Sequence, residues 1–144
     1  MQIISNSEKE TQDIGLEFAK RLKGGEVIAL LGNLGSGKTI FTKGLARGLG
    51  VRKIITSPTF VLMKLYKIGN EQLKIKNFIH VDAYRLKNER ELREIGLFDW
   101  LGKENSIVVI EWAERVKKIL PKASIKIKIK LGKKETERIF ELAA

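Results

Sequence analysis

Gly32, Gly37, Lys38 and Thr39 fall at the spacing G-x-x-x-x-G-K-[ST], with a further glycine at position 35. Glycines at this spacing let a loop curl until successive amide N–H groups face inward. A lysine and a hydroxyl at its end add a point cation and a hard oxygen ligand. Polyphosphate and Mg²⁺ are the partners such a set suits, so ATP and Mg²⁺ are the expected cofactors. On this reading the amides of Asn33, Leu34, Gly35, Ser36 and Gly37 turn towards the phosphates. Lys38 then reaches the β and γ phosphates and Thr39 takes one position on the metal. Hydrolysis needs a second metal-orienting carboxylate. Asp82 ends the apolar run Phe78 to Val81 and Glu111 ends Ile107 to Ile110, and ligands of open α/β sheets collect at such strand ends. A carboxylate there can equally be a helix cap, and the glycine-rich segment alone can be a plain strand-to-helix turn.

The elements around the loop are those it requires. Val27 to Leu31 is a continuous apolar run, as in a strand buried on both faces, and leads straight into Gly32. Phe41, Leu45, Ala46 and Leu49 then recur at helical spacing until Gly50. Upstream, Ser7 and Glu10 have capping-box spacing, opening an amphipathic helix through Ile14, Phe18 and Leu22 that stops at Gly24 and Gly25.

Downstream, Phe60 to Ile68 and Leu73 to Val81 predict a hairpin about a tight turn at Gly69 and Asn70. Asn88 with Glu91 has N-cap spacing for a helix through Leu92 and Ile95. Ala113 to Leu120 can add a helical turn or two before Pro121. From Ile125 to Leu131 apolar residues alternate with Lys126, Lys128 and Lys130, predicting a half-buried strand whose lysines guard an exposed edge against aggregation.

Strands alternating with helices around a buried strand predict an α/β, three-layer fold of P-loop NTPase type, mainly parallel with added antiparallel hairpins. The chain of 144 residues, 43% hydrophobic, fits one domain over 1–144. Twenty-eight Lys and Arg against 17 Asp and Glu give a formal charge of +11, which suits contact with nucleic acid, an acidic protein face or polyphosphate. A solvated, heat-adapted surface has the same bias. Without cysteine there is no disulfide framework, thiolate metal site or cysteine nucleophile. The polar N-terminus lacks a signal-peptide core and no run is long enough to span a membrane, so a cytoplasmic protein is expected.

Four segments, GNLGSGKT at 32–39, SPTF at 57–60, HVDAYR at 80–85 and IEWAER at 110–115, together resemble the TsaE family of bacterial ATPases required for the tRNA modification threonylcarbamoyladenosine. The resemblance runs in matching order over nearly the whole chain. It implies that Thr39 binds Mg²⁺, that Glu111 is a metal-associated carboxylate, and that Asp82 is needed for activity. It places Thr59 in a switch-like loop that can sense the γ phosphate, Trp112 beside the site, and Thr11 near the nucleotide. Packing or capping remains the plain alternative for His80, Tyr84 and Arg85. Departures are modest: Asn33 where Asp is frequent, Ser36 for Ala, Ala83 for Leu. The resemblance further implies a TsaB–TsaD heterodimer as partner, with acyl transfer performed there and ATP hydrolysis coupled to its cycling. Direct or indirect tRNA contact stays open.

Two other readings use the same loop. A small-molecule or nucleoside kinase would need an arginine-bearing lid, for which only Leu86 to Leu101 qualifies. A nucleotide-gated binding module would use ATP to order the 57–60 loop, with hydrolysis incidental.

Overall fold

The computed structural model describes residues 1–32, 35–58, 62–69 and 72–142. Its centre is β2 (Val27–Leu31), whose apolar run is buried because sheet neighbours and both covering layers remove it from water. On one side β2 pairs in parallel with β5 (Ser106–Glu111), which pairs in parallel with β4 (Asn77–Asp82). On the other side it pairs in parallel with β6 (Ile125–Leu131). Antiparallel strands flank this four-strand centre: β3 (Met63–Lys67) on β4, β7 (Arg138–Leu142) on β6, and β1 (Gln2–Ser5) on β7. The seven strands run in the order β1-β7-β6-β2-β5-β4-β3.

Each face of the sheet carries its own apolar core. On one face α1 (Glu8–Ala19) and α2 (Lys38–Leu49) close over Ile28, Leu30, Ile127 and Phe140. On the other, α3 (Arg90–Glu94) and 3-10 turns over Leu97–Asp99 and Ala113–Ile119 cover Val27, Ala29, Val81 and Ile110. Helix α1 starts as its capping spacing predicts: the Ser7 hydroxyl accepts from the Glu10 amide at 3.1 Å, and the Glu10 carboxylate accepts from the Asn6 amide at 2.7 Å. The two long helices meet backbone to backbone. A Cβ at Gly44 would lie 2.0 Å from the Gln12 carbonyl oxygen, and one at Gly15 2.4 Å from that of Phe41, so only glycine permits this approach.

Four local expectations change. The lysine-bearing strand β6 is interior, between β2 and β7, so Lys126, Lys128 and Lys130 guard no edge; the edges are β1 and β3. Alternation reports a strand covered on one face, which an interior strand becomes wherever its covering layer stops. Strand β1 was not foreseen, because four residues ahead of a polar stretch carry too little pattern. The hairpin forms but with shorter arms: Lys67 pairs with Asn77, and the link from Ile68 to Lys76 is longer than a two-residue turn. Among the described residues the last backbone hydrogen bond between the arms is that of the Ile68 amide to the Lys76 carbonyl at 2.9 Å, while the Lys76 amide donates away from the hairpin to the Asn105 carbonyl at 2.7 Å. Asn70 and Phe60, which belong to the same expectation, lie outside the described residues. Finally, α3 is a short helix whose N-cap is Glu89, not Asn88; the Glu91 carboxylate accepts from the Lys87 amide at 2.8 Å.

Candidate nucleotide and metal site

At the carboxyl end of β2 the chain turns through the glycine-rich loop into α2. Gly37, with φ 100°, is the N-cap in the left-handed region that glycine occupies without strain. No side chain among the described residues caps α2, and its positive dipole end faces the loop, where an anion is favoured. Lys38, the first helical residue, is buried. Its Nζ donates to the Gly32 carbonyl at 2.6 Å and to the Ser36 hydroxyl at 3.4 Å, and lies 3.9 Å from the centre of the Trp112 ring. Burial pushes the Lys38 ammonium below the ordinary lysine range, opposed by the charges of Glu111, Glu114 and Asp82.

Parallel pairing of β4 with β5 puts Asp82 directly opposite Glu111, one carboxylate at the end of each strand. Glu111 is buried and fixed from two sides. The Thr39 hydroxyl donates to its Oε1 at 2.9 Å, and His80 Nε2 holds its Oε2. The other ring nitrogen of His80 has no hydrogen-bond partner among the described residues. Asp82 accepts from the Ser57 hydroxyl at 3.2 Å and from the Tyr84 amide at 2.9 Å, so a residue of the SPTF segment reaches the site through it.

Trp112 follows Glu111 in the left-handed region at φ 58°, an uncommon conformation for a bulky residue. The turn lays its indole over Lys38 and against Tyr84, with ring centres 4.8 Å apart; Arg115 lies 5.4 Å from the outer side of Tyr84. Glu114, one turn on, accepts from the Gly32 amide at 3.3 Å. A cavity of about 470 Å³ opens among these groups, lined by Gly35 to Ile40, Ser57, Asp82, Tyr84, Arg85, Glu111 and Trp112, with Glu8 and Arg138 at its margin.

The structure thus brings Gly35, Ser36, Gly37, Lys38, Thr39, Asp82, Glu111 and Trp112 around one cavity. Thr11 is near but not at its wall: it is buried, its hydroxyl is 2.7 Å from that of Ser5, and its methyl faces Gly37 from below. Asn33, Leu34 and Thr59 lie outside the described residues. Ser57, Glu114 and Arg138 were missed as single residues; only the SPTF and IEWAER segments pointed near the first two, and nothing local marks Arg138.

The donor set suits a hard divalent cation. Thr39 and Glu111 offer a hydroxyl and a carboxylate oxygen, and the described residues contain no group of three or more His, Cys, Asp or Glu that could hold a metal ion. Mg²⁺ is the metal commonly held by one or two carboxylates with phosphate and water completing its shell.

Fold and site define a mixed α/β protein with one seven-stranded sheet and a lysine-bearing, glycine-rich loop at the end of its central strand. Residues 5–140 match the family model described as threonylcarbamoyl adenosine biosynthesis protein TsaE. The chain belongs to the TsaE family. It is 38% identical over 133 residues to the tRNA threonylcarbamoyladenosine biosynthesis protein TsaE of Bacillus subtilis, covering 92% of this chain and 79% of that one. It is 37% identical over 131 residues to the protein of the same name from Treponema pallidum, covering 91% and 92%. A crystal structure of Bacillus subtilis YdiB superposes with a TM-score of 0.79 at 30% identity, covering 100% of this chain and 84% of that chain.

Proposed function

We propose that this chain is a Mg²⁺-dependent ATPase of the P-loop NTPase fold that acts in tRNA threonylcarbamoyladenosine formation by binding a TsaB–TsaD pair and coupling hydrolysis to its cycling. One observation carries the reading: the Thr39 hydroxyl and the Glu111 carboxylate meet at 2.9 Å beside the buried Lys38, at the open N-terminus of α2. In this arrangement Lys38 exchanges the Gly32 carbonyl for β- and γ-phosphate oxygens. The amides of the first turn of α2, at the positive end of the helix dipole, would hold the same phosphates. Thr39 and Glu111 are the residues that would hold Mg²⁺, which would supply charge neutralisation across the phosphates. His80 fixes Glu111 through its Oε2 and leaves Oε1 with Thr39 for a metal, while Asp82, positioned by Ser57 and the Tyr84 amide, would be the second carboxylate to orient water. Asn33, Leu34 and Thr59 complete the loop and the phosphate-sensing segment on the strength of the family resemblance.

The kinase alternative is disfavoured by its own lid candidate. Within 86–101, Leu92 and Leu97 have no exposed surface and belong to the second core, so the segment is anchored rather than hinged. A dependence on partners fits the wall of the site, where Tyr84 remains 39% exposed next to Trp112 and a docking protein can press on both.

Phosphate release measured with and without purified TsaB–TsaD, across a salt series and with Lys38→Ala as the blank, tests the proposal. Stimulation by the pair that falls as salt rises is the expected result. A rate indifferent to the pair at every salt, with no complex in ATP, removes the coupling.

A further inference from the structure

Beyond the nucleotide site, the face of the sheet opposite α1 and α2 is covered only in part. The second core ends at β2. Past it, no element among the described residues lies over β6, and Lys126, Lys128 and Lys130 project into solvent in a row, about 7 Å between neighbours at strand spacing. Their register with Ala29 and Leu31 of β2 fixes them on that face. Two cavities of about 390 and 540 Å³ lie on it and share Leu31 and Lys126, so they form one trough. Lys117 and Lys122 line its near wall and Lys128 its far part. The one carboxylate lining it among the described residues, Glu141, is bridged to Lys130 at 2.8 Å, which holds its carboxyl below the usual range.

Edge protection, the ordinary reason for a lysine stripe on a strand, does not apply to an interior strand. The composition of the trough also separates two classes of occupant. Protein interfaces concentrate Trp, Tyr and Arg at their centres and are depleted in Lys, whereas a phosphate backbone is held by flexible point cations without any aromatic anchor. Among the described residues the trough has lysines and no aromatic side chain. We infer that this bare face of β6, with Lys117 and Lys122 at its border, is a binding surface for a nucleic-acid phosphate backbone, that of RNA in particular on the strength of the function in tRNA modification proposed above.

The trough is also joined to the nucleotide site. The turns of Ala113–Ile119 begin beside Trp112, send Glu114 to the Gly32 amide, and carry Lys117 to the trough. Leu31, on the trough floor, is the last residue before Gly32.

The test is fluorescence anisotropy with a labelled, unmodified tRNA transcript, titrated with the full chain over a salt series. Lys126→Gln/Lys128→Gln/Lys130→Gln is compared with Lys20→Gln/Lys23→Gln/Lys43→Gln, which removes the same charge from exposed positions elsewhere. The trough variant should bind at least about tenfold more weakly and lower the slope of log affinity against log salt by about 2, while the control stays within about twofold. Should the triple variant melt below the parent, Lys122→Gln, in a turn outside the sheet, is expected to weaken binding about threefold. Equal losses in trough and control variants would reduce the effect to net charge and overturn the site. So would absent RNA binding at about 50 mM salt, and if polyglutamate bound the trough under those conditions the face would belong to an acidic protein instead.

Discussion

Lysine serves two regions of this molecule in opposite ways. Lys38 is buried, bonded to a backbone carbonyl and roofed by an indole, and burial holds its ammonium below the ordinary range. Lys126 and Lys128 are exposed, one flank of a strand whose other flank fills the core. The same side chain is in one place a single buried charge, costly to keep and held by a backbone carbonyl and a hydroxyl. In the other it is one of several solvated charges whose effect is collective. Burial, rather than residue type, divides them.

That contrast breaks most directly by truncation. Lys38→Ala should lower phosphate release by about 100-fold or more with the fold retained, as for loss of a pre-aimed charge at a transition state. Lys128→Ala in the same assay should stay within about twofold of the parent. Similar rates for the two variants would erase the distinction.

Next in size, Glu111→Gln and Asp82→Asn should each reduce hydrolysis about 10- to 100-fold while ATP binding changes far less, because an amide keeps the shape and loses the charge near the metal. Single-turnover rates at saturating Mg²⁺ check this, and a raised Mg²⁺ requirement confined to Glu111→Gln would assign the metal contact to that carboxylate.

Trp112→Ala removes the ring beside Lys38 and should weaken nucleotide binding about threefold to tenfold, the range of one partly desolvated cation–π contact. Isothermal titration with a non-hydrolysable analogue reads it.

The pH dependence sharpens the comparison in a way specific to Lys38. Its folded value lies below the ordinary lysine value of 10.5, so between the two the unfolded chain binds more protons than the folded one, and stability from this group rises with pH through that window. Phosphate affinity falls over the same window as the ammonium is lost. Denaturation curves at alkaline pH should therefore show a rise that Lys38→Ala abolishes, and the parent's nucleotide affinity should decline.

The smallest contrast lies within β6. Ile129→Ala should cost about 2–4 kcal/mol and Lys128→Ala less than about 0.5 kcal/mol in urea unfolding, since neighbouring residues of one strand face core and water respectively.

How far these features were legible in the sequence depended on whether their cause is local. The strands β2 and β5 were plain, because burial on both faces demands an unbroken apolar run, and the loop was plain because its chemistry is compressed into eight consecutive positions, 32 to 39. Asp82 and Glu111 could be seen to end strands, but only the β4–β5 register makes them neighbours. The roles of Ser57, Glu114 and Arg138 around the cavity come from chain crossings that no periodicity encodes. The alternation in β6 was read correctly as one buried flank and wrongly as an edge, since pattern reports what covers a strand and says nothing of what lies beside it.

The contact of α1 with α2 through Gly15 and Gly44 has a consequence for inheritance. Neither glycine lines the cavity, yet α2 begins with Lys38 and Thr39, and a single added methyl at either glycine would have to push the helices apart against backbone oxygen. Variation at these two positions is therefore variation in the placing of Lys38 and Thr39. One added methyl at a helix interface outside the cavity is thus enough to displace the start of α2.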